Sequence, residues 1–216
     1  MFITLEGIEG SGKSTQAKLL MEWFKKNSYS CILTREPGGT KIGKQIRSIL
    51  LNPNHTNLCP MTELLLYMAD RAQHLSELIR PEIADGKIIL CDRFYDATTV
   101  YQGVARQIEM DVIQNLHKIV LSGLKPDITL LFDLPVKAGL ERAWKRIESD
   151  KKEQNENRFE KESLEFHESV RVGYLDLAKN NKKRFFILNA NQSEKAVFEE
   201  MINIVSKKLD KVHIER

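Results

Sequence analysis

Cysteine is scarce in this chain. The three that occur, Cys31, Cys59 and Cys91, are odd in number and far apart. That excludes a disulfide framework, and the absence of any C-x-x-C pair excludes a zinc ribbon. Cys31 and Cys91 lie in apolar runs and read as small core residues. Long hydrophobic runs are missing as well. Nothing approaches the roughly 20 apolar residues that cross a bilayer. The first residues also lack the basic, then apolar, then small-residue order of a secretory signal. The chain is therefore expected to act in the cytoplasm, away from membranes. Charge of one sign is not in excess either. Lys and Arg interleave with Asp and Glu, and the formal net charge over 216 residues is +3. That is too little to nominate nucleic acid as a partner. The five histidines show no metal-ligand spacing, and His74, His117 and His167 read as surface or helix residues.

What is present begins at the amino terminus. The apolar run Phe2-Ile3-Thr4-Leu5 leads into Gly7-Ile8-Glu9-Gly10-Ser11-Gly12-Lys13-Ser14, which reads G-x-x-x-x-G-K-S. This is a phosphate-binding loop in the context it requires, a strand turning into a helix. Glycines let backbone N–H groups converge on a triphosphate without Cβ clashes. The helix that follows adds its positive end. Lys13 is expected to reach the β- and γ-phosphates, and the Ser14 hydroxyl to ligate Mg²⁺.

Along the rest of the chain, short apolar runs alternate with amphipathic stretches. Strands are expected at Phe2–Leu5, Ser30–Thr34, Lys87–Cys91, Ile128–Phe132 and Arg184–Leu188. Helices are expected at Ser14–Lys26, Gly43–Leu51, Met61–Ile83, Met110–Ser122, Val136–Glu148, Lys161–Lys179 and Glu194–Leu209. Strand alternating with helix specifies an α/β fold, a five-stranded parallel sheet of P-loop NTPase type with helices on both faces. The length suits one domain, 1–216, with one substantial core. In such sheets ligands gather beyond the carboxyl ends of the strands. There the sequence places Glu6 to Lys13, Arg35-Glu36-Pro37, Asp92-Arg93, Asp133 and Asn189-Ala190.

Several constellations face that crevice. Asp92-Arg93 ends an apolar strand, where a carboxylate that organises Mg²⁺ belongs. Arg93 could clamp an anion with its fork, although a buried structural Asp–Arg pair fits the same residues. Arg35-Glu36-Pro37-Gly38-Gly39-Thr40 is a turn with an arginine at its entry. Tyr67 and Arg71 are four apart on an apolar helix, so they share a face. A ring beside a guanidinium suits a flat base, and equally suits a core. Residues 148–161, ESDKKEQNENRFEK, have almost no apolar character. They read either as a solvated loop or as a lid over phosphates, bracketed by Arg142, Arg146 and Arg158.

Taken together, these residues resemble the thymidylate kinase family. The likeness covers nearly the whole chain. It rests on F-I-T-L-E-G-I-E-G-S-G-K-S-T at the start, T-R-E-P-G-G-T from Thr34, Y-M-A-D-R-A from Tyr67, C-D-R-F-Y from Cys91, T-x-x-Y-Q-G from Thr98 and G-L-E-R-A from Gly139. The resemblance implies transfer of phosphate from ATP to dTMP with Mg²⁺, in a homodimer. It assigns Gly7 to Ser14 and Thr15 to the ATP phosphates, and Ser14, Asp92 and Glu9 to the metal and its waters. Arg93 would grip the acceptor phosphate. Arg35, Glu36 and Pro37 would line the acceptor pocket. Tyr67 would stack on thymine, Arg71 would donate to its carbonyl, and Thr98 and Gln102 would read the base edge. Tyr101 would lie near the sugar. Arg142 would stack on adenine beside Asn189-Ala190-Asn191-Gln192.

The phosphate loop carries Glu9-Gly10-Ser11 where some relatives have an arginine. The resemblance is therefore to the bacterial-type subclass with a lid arginine, for which Arg146 stands first and Arg158 second. Ala97 stands where a serine is common, so one polar contact is expected to be absent. No general base is needed, because a phosphate monoester with its second pKa near 6 is mostly dianionic at pH 7. Another small kinase of this fold, acting on a different monophosphate or on a deoxynucleoside, is the nearest alternative. A guanine-nucleotide switch would need N-K-x-D, and the only Asn-Lys, Asn181-Lys182, lacks the Asp.

Overall fold

The computed structural model describes residues 1–150 and 154–214. Strand β1 (Phe2–Glu6) enters the phosphate loop and α1 (Lys13–Lys26). Strand β2 (Cys31–Arg35), α2 (Lys41–Leu51) and α3 (Pro60–His74) follow. Helix α3 continues through a π-helical stretch, Leu75–Ile79, into α4 (Arg80–Ala84). After β3 (Ile88–Asp92), α5 (Tyr95–Thr98) runs on into a second π-helical stretch, Thr99–Ala105. Then come α6 (Met110–Leu121), β4 (Ile128–Asp133), α7 (Val136–Ser149), α8 (Leu164–Asn180), β5 (Phe185–Asn189) and α9 (Glu194–Ile214).

All strand pairs are parallel, in the order β2-β3-β1-β4-β5. The chain leaves β1 toward β2 on one side and leaves β4 toward β5 on the other. A crevice opens where such connections diverge. Register brings Arg35 level with Asp92, and Asp92 level with Leu5. The ends of β2, β3 and β1 therefore deliver their charged residues to one place.

The centre of the sheet is dry on both faces. Ile3 and Leu5 point into the larger core with Leu20, Phe24, Leu130 and Val170, while Phe2 joins Leu75, Ile79, Ile89 and Phe94 on the other side. Thr4, Thr129, Asp96 and Arg184, caught in this interior, are paired. The Thr4 and Thr129 hydroxyls meet at 2.9 Å. Arg184 forks onto Asp96 with two bonds of 2.7 Å and reaches Thr129 at 2.7 Å. Burial raises the Asp96 carboxyl above its ordinary pKa, against the pull of Arg184. Replacing Arg184 with Met would leave that carboxyl buried and alone, a loss of roughly 3 kcal/mol or more. The unpaired Asp96 can escape by taking a proton, so the loss should shrink as pH falls from 7 to 5. Urea unfolding of R184M at both pH values checks size and sign. An equal loss at both would contradict the argument.

Three expectations change. The periodic run Met61–Ile83 is a helix interrupted by a π-helical stretch. Residues Tyr95–Ala105 are helical although no helix was expected there; Thr98 and Thr99 hide the apolar period, and packing of Val100 and Tyr101 in the core supplies the missing drive. His74, His117 and His167 lie on helices, one of the two expected readings, but are interior rather than at the surface. His74 and His167 are fully buried and His117 nearly so. His74 is drawn in by two hydrogen bonds, from Nδ1 to Glu36 Oε1 at 2.9 Å and between Nε2 and Thr34 Oγ1 at 2.7 Å. His117 packs edge-on against Tyr95, and burial pushes its pKa down to about 3, so it is neutral there. Of the residues read as small core cysteines, Cys91 is buried and Cys31 half-buried.

Candidate active site

The phosphate loop closes over the end of β1 because its glycines lie where no side chain fits. Gly10 has φ 68°, and a Cβ there would stand 2.0 Å from the carbonyl oxygen of Gly139 in α7. Gly139 in turn would meet the Glu9 carbonyl at 2.6 Å. The G-L-E-R-A motif thus holds the loop's backbone against a helix with no spacer. Lys13 folds back under the loop, its Nζ donating to Gly7 O at 3.0 Å, Ile8 O at 2.7 Å and Ser11 Oγ at 3.2 Å. Burial, then the nearby Arg93 charge, lowers its pKa to about 8.

A cleft of about 770 Å³ extends from this loop past the ends of β2 and β3. Lys13, Ser14 and Thr15 line one end of it. Arg35, Glu36, Pro37, Tyr67, Arg71, Thr98, Tyr101 and Gln102 line the other, with Asp92 and Arg93 between them. Residues assigned to two nucleotides by resemblance therefore share one continuous cleft. Arg142 stands apart on α7 and donates to the Ala190 carbonyl at 3.3 Å, so it lies beside the segment that the resemblance gives to adenine.

Between the two ends sits a dense charge cluster. Arg93, at φ 68°, occupies the left-handed region, which few non-glycine residues enter. Its guanidinium donates to Glu9 Oε1 at 3.0 Å and to the Tyr101 hydroxyl at 2.8 Å, and lies 4.9 Å from the centre of the Tyr101 ring. Tyr101 donates to the same Glu9 oxygen at 2.7 Å. Burial alone would raise the Glu9 carboxyl, but Arg93, His167 and Lys13 together hold it below the usual carboxylate range. Glu6 lies behind, buried, accepting from the Tyr174 hydroxyl at 2.7 Å and from Phe94 N at 2.8 Å. Burial and the neighbouring Asp96 push its pKa up to about 8, so at neutrality Glu6 holds its proton and it is Glu9 that balances the Arg93 charge.

The Ser14 hydroxyl donates to Asp92 Oδ2 at 2.9 Å at the mouth of the cleft. Two hard oxygens side by side suit Mg²⁺, which keeps most of its shell as water and phosphate oxygen. Glu9, also on the cleft wall, gives Oε1 to Arg93 and Tyr101, while its Oε2 lies 3.2 Å from His167 Nδ1. Among the described residues no group of three His, Cys, Asp or Glu side chains converges as a metal cage.

The end of the cleft away from the phosphate loop is built on a buried ion pair and the hydrogen bonds around it. Glu36 uses both oxygens, one for Arg71 Nε at 2.7 Å and one for His74. Arg71 also donates to Thr98 Oγ1 at 3.0 Å. Tyr67 is half-buried on the wall, 6.5 Å from the Phe159 ring. Ala97 lines the cleft without adding a polar group.

The expected lid, 148–161, divides in two. Residues 151–153 lie outside the described residues. Asn157 to Glu160 are buried rather than solvated, because Phe159 packs against Tyr101 and Phe166 and pulls its neighbours in. Arg146, nearly half exposed on α7, lines the cleft 3.7 Å from Glu160. Arg158 is turned elsewhere. It bonds Leu50 O at 2.5 Å and Glu63 Oε2 at 2.6 Å, and is not among the residues lining the cleft. The sequence had singled out neither Glu63, His74, Phe159 nor Glu160. A charge inside the apolar run of α3 was the one available signal, for Glu63.

A parallel sheet in this strand order, with a glycine loop gripping a lysine and one cleft running from that loop past the ends of β2 and β3, defines a P-loop phosphotransferase of the nucleoside monophosphate kinase type. Comparison with known proteins narrows the class. A sequence model of the family described as thymidylate kinase matches residues 5–201. The chain belongs to the thymidylate kinase family. It is 55% identical to the thymidylate kinase of Desulfosudis oleivorans over 190 residues, covering 88% of this chain and 89% of that protein. It is 50% identical to that of Desulforapulum autotrophicum, covering 97% and 92%. The crystal structure of thymidylate kinase from Ehrlichia chaffeensis superposes with a TM-score of 0.76 at 33% identity, covering 95% of this chain and 98% of that one.

Proposed function

We propose that this chain transfers the γ-phosphoryl group of ATP to the phosphate of dTMP, giving ADP and dTDP. The observation that carries this reading is the continuity of the cleft: the phosphate loop, Arg93 and the Tyr67–Arg71 wall line one space. ATP lies along the phosphate loop, with adenine near Arg142 and Ala190. dTMP lies across the ends of β2 and β3, its phosphate on Arg93 and its base between Tyr67, Arg71, Thr98 and Gln102. The acceptor oxygen attacks the γ-phosphorus, the bond to the β-phosphate oxygen breaks, and ADP leaves. Positioning and charge neutralisation are the whole of the catalysis. Lys13 neutralises the transferring group from below and Arg146 from the lid side. Arg93 holds the attacking phosphate with a guanidinium that stays charged: burial works against the charge, but Glu9 and Asp92 raise its pKa further. Ser14 and Asp92 would hold Mg²⁺, which would neutralise negative charge on the transferring phosphates.

The same reading places the enzyme in the cytoplasm as a homodimer. Exposed Met61 and Leu65 on α3 offer an apolar face, whereas Leu64 is buried against Met68 and Ile113. Among the described residues no helix is long and apolar enough to cross a membrane.

The deciding experiment measures ADP release with dTMP, dUMP, CMP, UMP, AMP and thymidine as acceptors. Strong stimulation by dTMP alone or with dUMP is expected. Preference for any other acceptor overturns the reading. Tyr67→Ala removes a stacking surface and should raise KM for dTMP by roughly tenfold, the usual worth of one stacked base. KM for ATP should stay put. Equal effects on both substrates would mean that Tyr67 only fills the core.

A further inference from the structure

We propose that Glu63 sets the base selectivity of the acceptor pocket. It locks the Gln102 amide so that only the carbonyl oxygen is left for the base, and it ties that lock to the docked segment carrying Arg158. The proposal rests on the acceptor reading above.

Glu63 lies in the first turn of α3 with no exposed surface. A carboxyl group has no place there unless donors come to it, and three side chains do. Gln102 Nε2 donates to Oε1 at 2.8 Å. Arg106 reaches Oε1 at 3.3 Å and Oε2 at 3.4 Å. Arg158 reaches Oε2 at 2.6 Å. Glu63 does not itself line the cleft, so whatever it does for a substrate passes through these partners.

A carboxylate offers only acceptor lone pairs. Of the two ends of the Gln102 amide, only the NH₂ can face it, and the carbonyl oxygen is what remains for the cleft that Gln102 lines. An acceptor there pairs with a ring N–H. Thymine and uracil carry one at N3. Cytosine carries a lone pair at N3 and would meet the oxygen with repulsion. Arg71, bonded to Thr98 alongside, supplies donors for an adjacent carbonyl. Donor beside acceptor is the complement of an imide edge, and Glu63 fixes the acceptor half.

The second arm reaches the segment after α7. The Arg158 guanidinium lies 4.6 Å from the Phe159 ring centre, and that ring packs 5.6 Å from Tyr101. Arg106 bonds Glu162 at 2.5 Å. Glu63 is thus the point where the base reader and the docked segment share one carboxylate. Arg158 serves that junction rather than the phosphoryl group.

The test compares kcat/KM for dTMP and dCMP, with KM for ATP measured alongside. Glu63→Gln keeps the shape, but its amide can donate as well as accept, so Gln102 is free to turn over. The dTMP-to-dCMP ratio should fall by roughly tenfold or more, the cost of a misplaced hydrogen bond in a buried site. KM for ATP should hold within about twofold, because no phosphate contact changes. Gln102→Leu should lower the ratio similarly, and the double variant no further, since the two act through one contact. If E63Q does not fold, Glu63→Asp takes its place in the cycle, its carboxylate withdrawn by one methylene. A ratio within twofold of wild type in the Glu63 variant, or losses that multiply in the double variant, would overturn the proposal. Failure of the wild-type enzyme to use dTMP would instead remove the acceptor reading, and the proposal with it.

Discussion

Lys13→Met should lower kcat by about 10³-fold, the scale of losing one preorganised charge aimed at developing negative charge in a water-poor site. The lysine is held by Gly7 O, Ile8 O and Ser11 Oγ, so its ammonium waits under the loop before ATP arrives. Burial and Arg93 bring its pKa to about 8. The sign follows. The charged form is the useful one, and in the free enzyme it is lost as pH rises through 8. kcat/KM for ATP, which reports the free enzyme, should therefore fall above pH 8. kcat itself should stay level, because bound phosphates hold the proton on. Lys13→Met should abolish the alkaline limb along with the rate. A variant that keeps the same limb would assign it to another group.

Arg146→Ala should lower kcat by roughly 10²-fold or more, since an arginine delivered to a transferring phosphoryl group is worth 10³–10⁵ in related reactions. ATP affinity should change little. Arg146 lines the cleft and is nearly half exposed, with length to reach inward. Arg158 is spent on Leu50 O and Glu63, so Arg158→Ala should act on dTMP affinity and on stability instead, with kcat close to wild type. Single-turnover rates at saturating nucleotide separate the two. Arg146→Ala near the wild-type rate, with Arg158→Ala far below it, would reverse the assignment.

How much of this was legible beforehand differs from residue to residue. The phosphate loop was, because backbone geometry imposes residue types at fixed spacing: positive φ at Gly7, Gly10 and Gly12 can be met by little else. The five strands were, because each is a short, mainly apolar run, and the three central ones, buried on both faces, demand it. The helix from Tyr95 to Ala105 was not, since two threonines break its period and a π-helical turn shifts which side chains share a face. The inward turn of His74 and His167 was invisible for a different reason. Each is buried beside a carboxylate, Glu36 for one and Glu9 for the other at 3.2 Å, that is distant in sequence.

By itself, then, the sequence determined a parallel α/β sheet, and it pointed to a triphosphate cradle in the loop after β1 and to an anion site on Arg93. Local backbone requirements and apolar periodicity write themselves into neighbouring residues. Only the tertiary structure decided which arginine after α7 faces the cleft and which faces Glu63. It alone decided that Glu6 keeps its proton while Glu9 loses its own, and that one buried carboxylate holds both Gln102 and Arg158. Those outcomes depend on burial and on groups brought together from far along the chain, as Tyr174 is to Glu6 and His167 to Glu9, and no spacing along a chain encodes a distance across it.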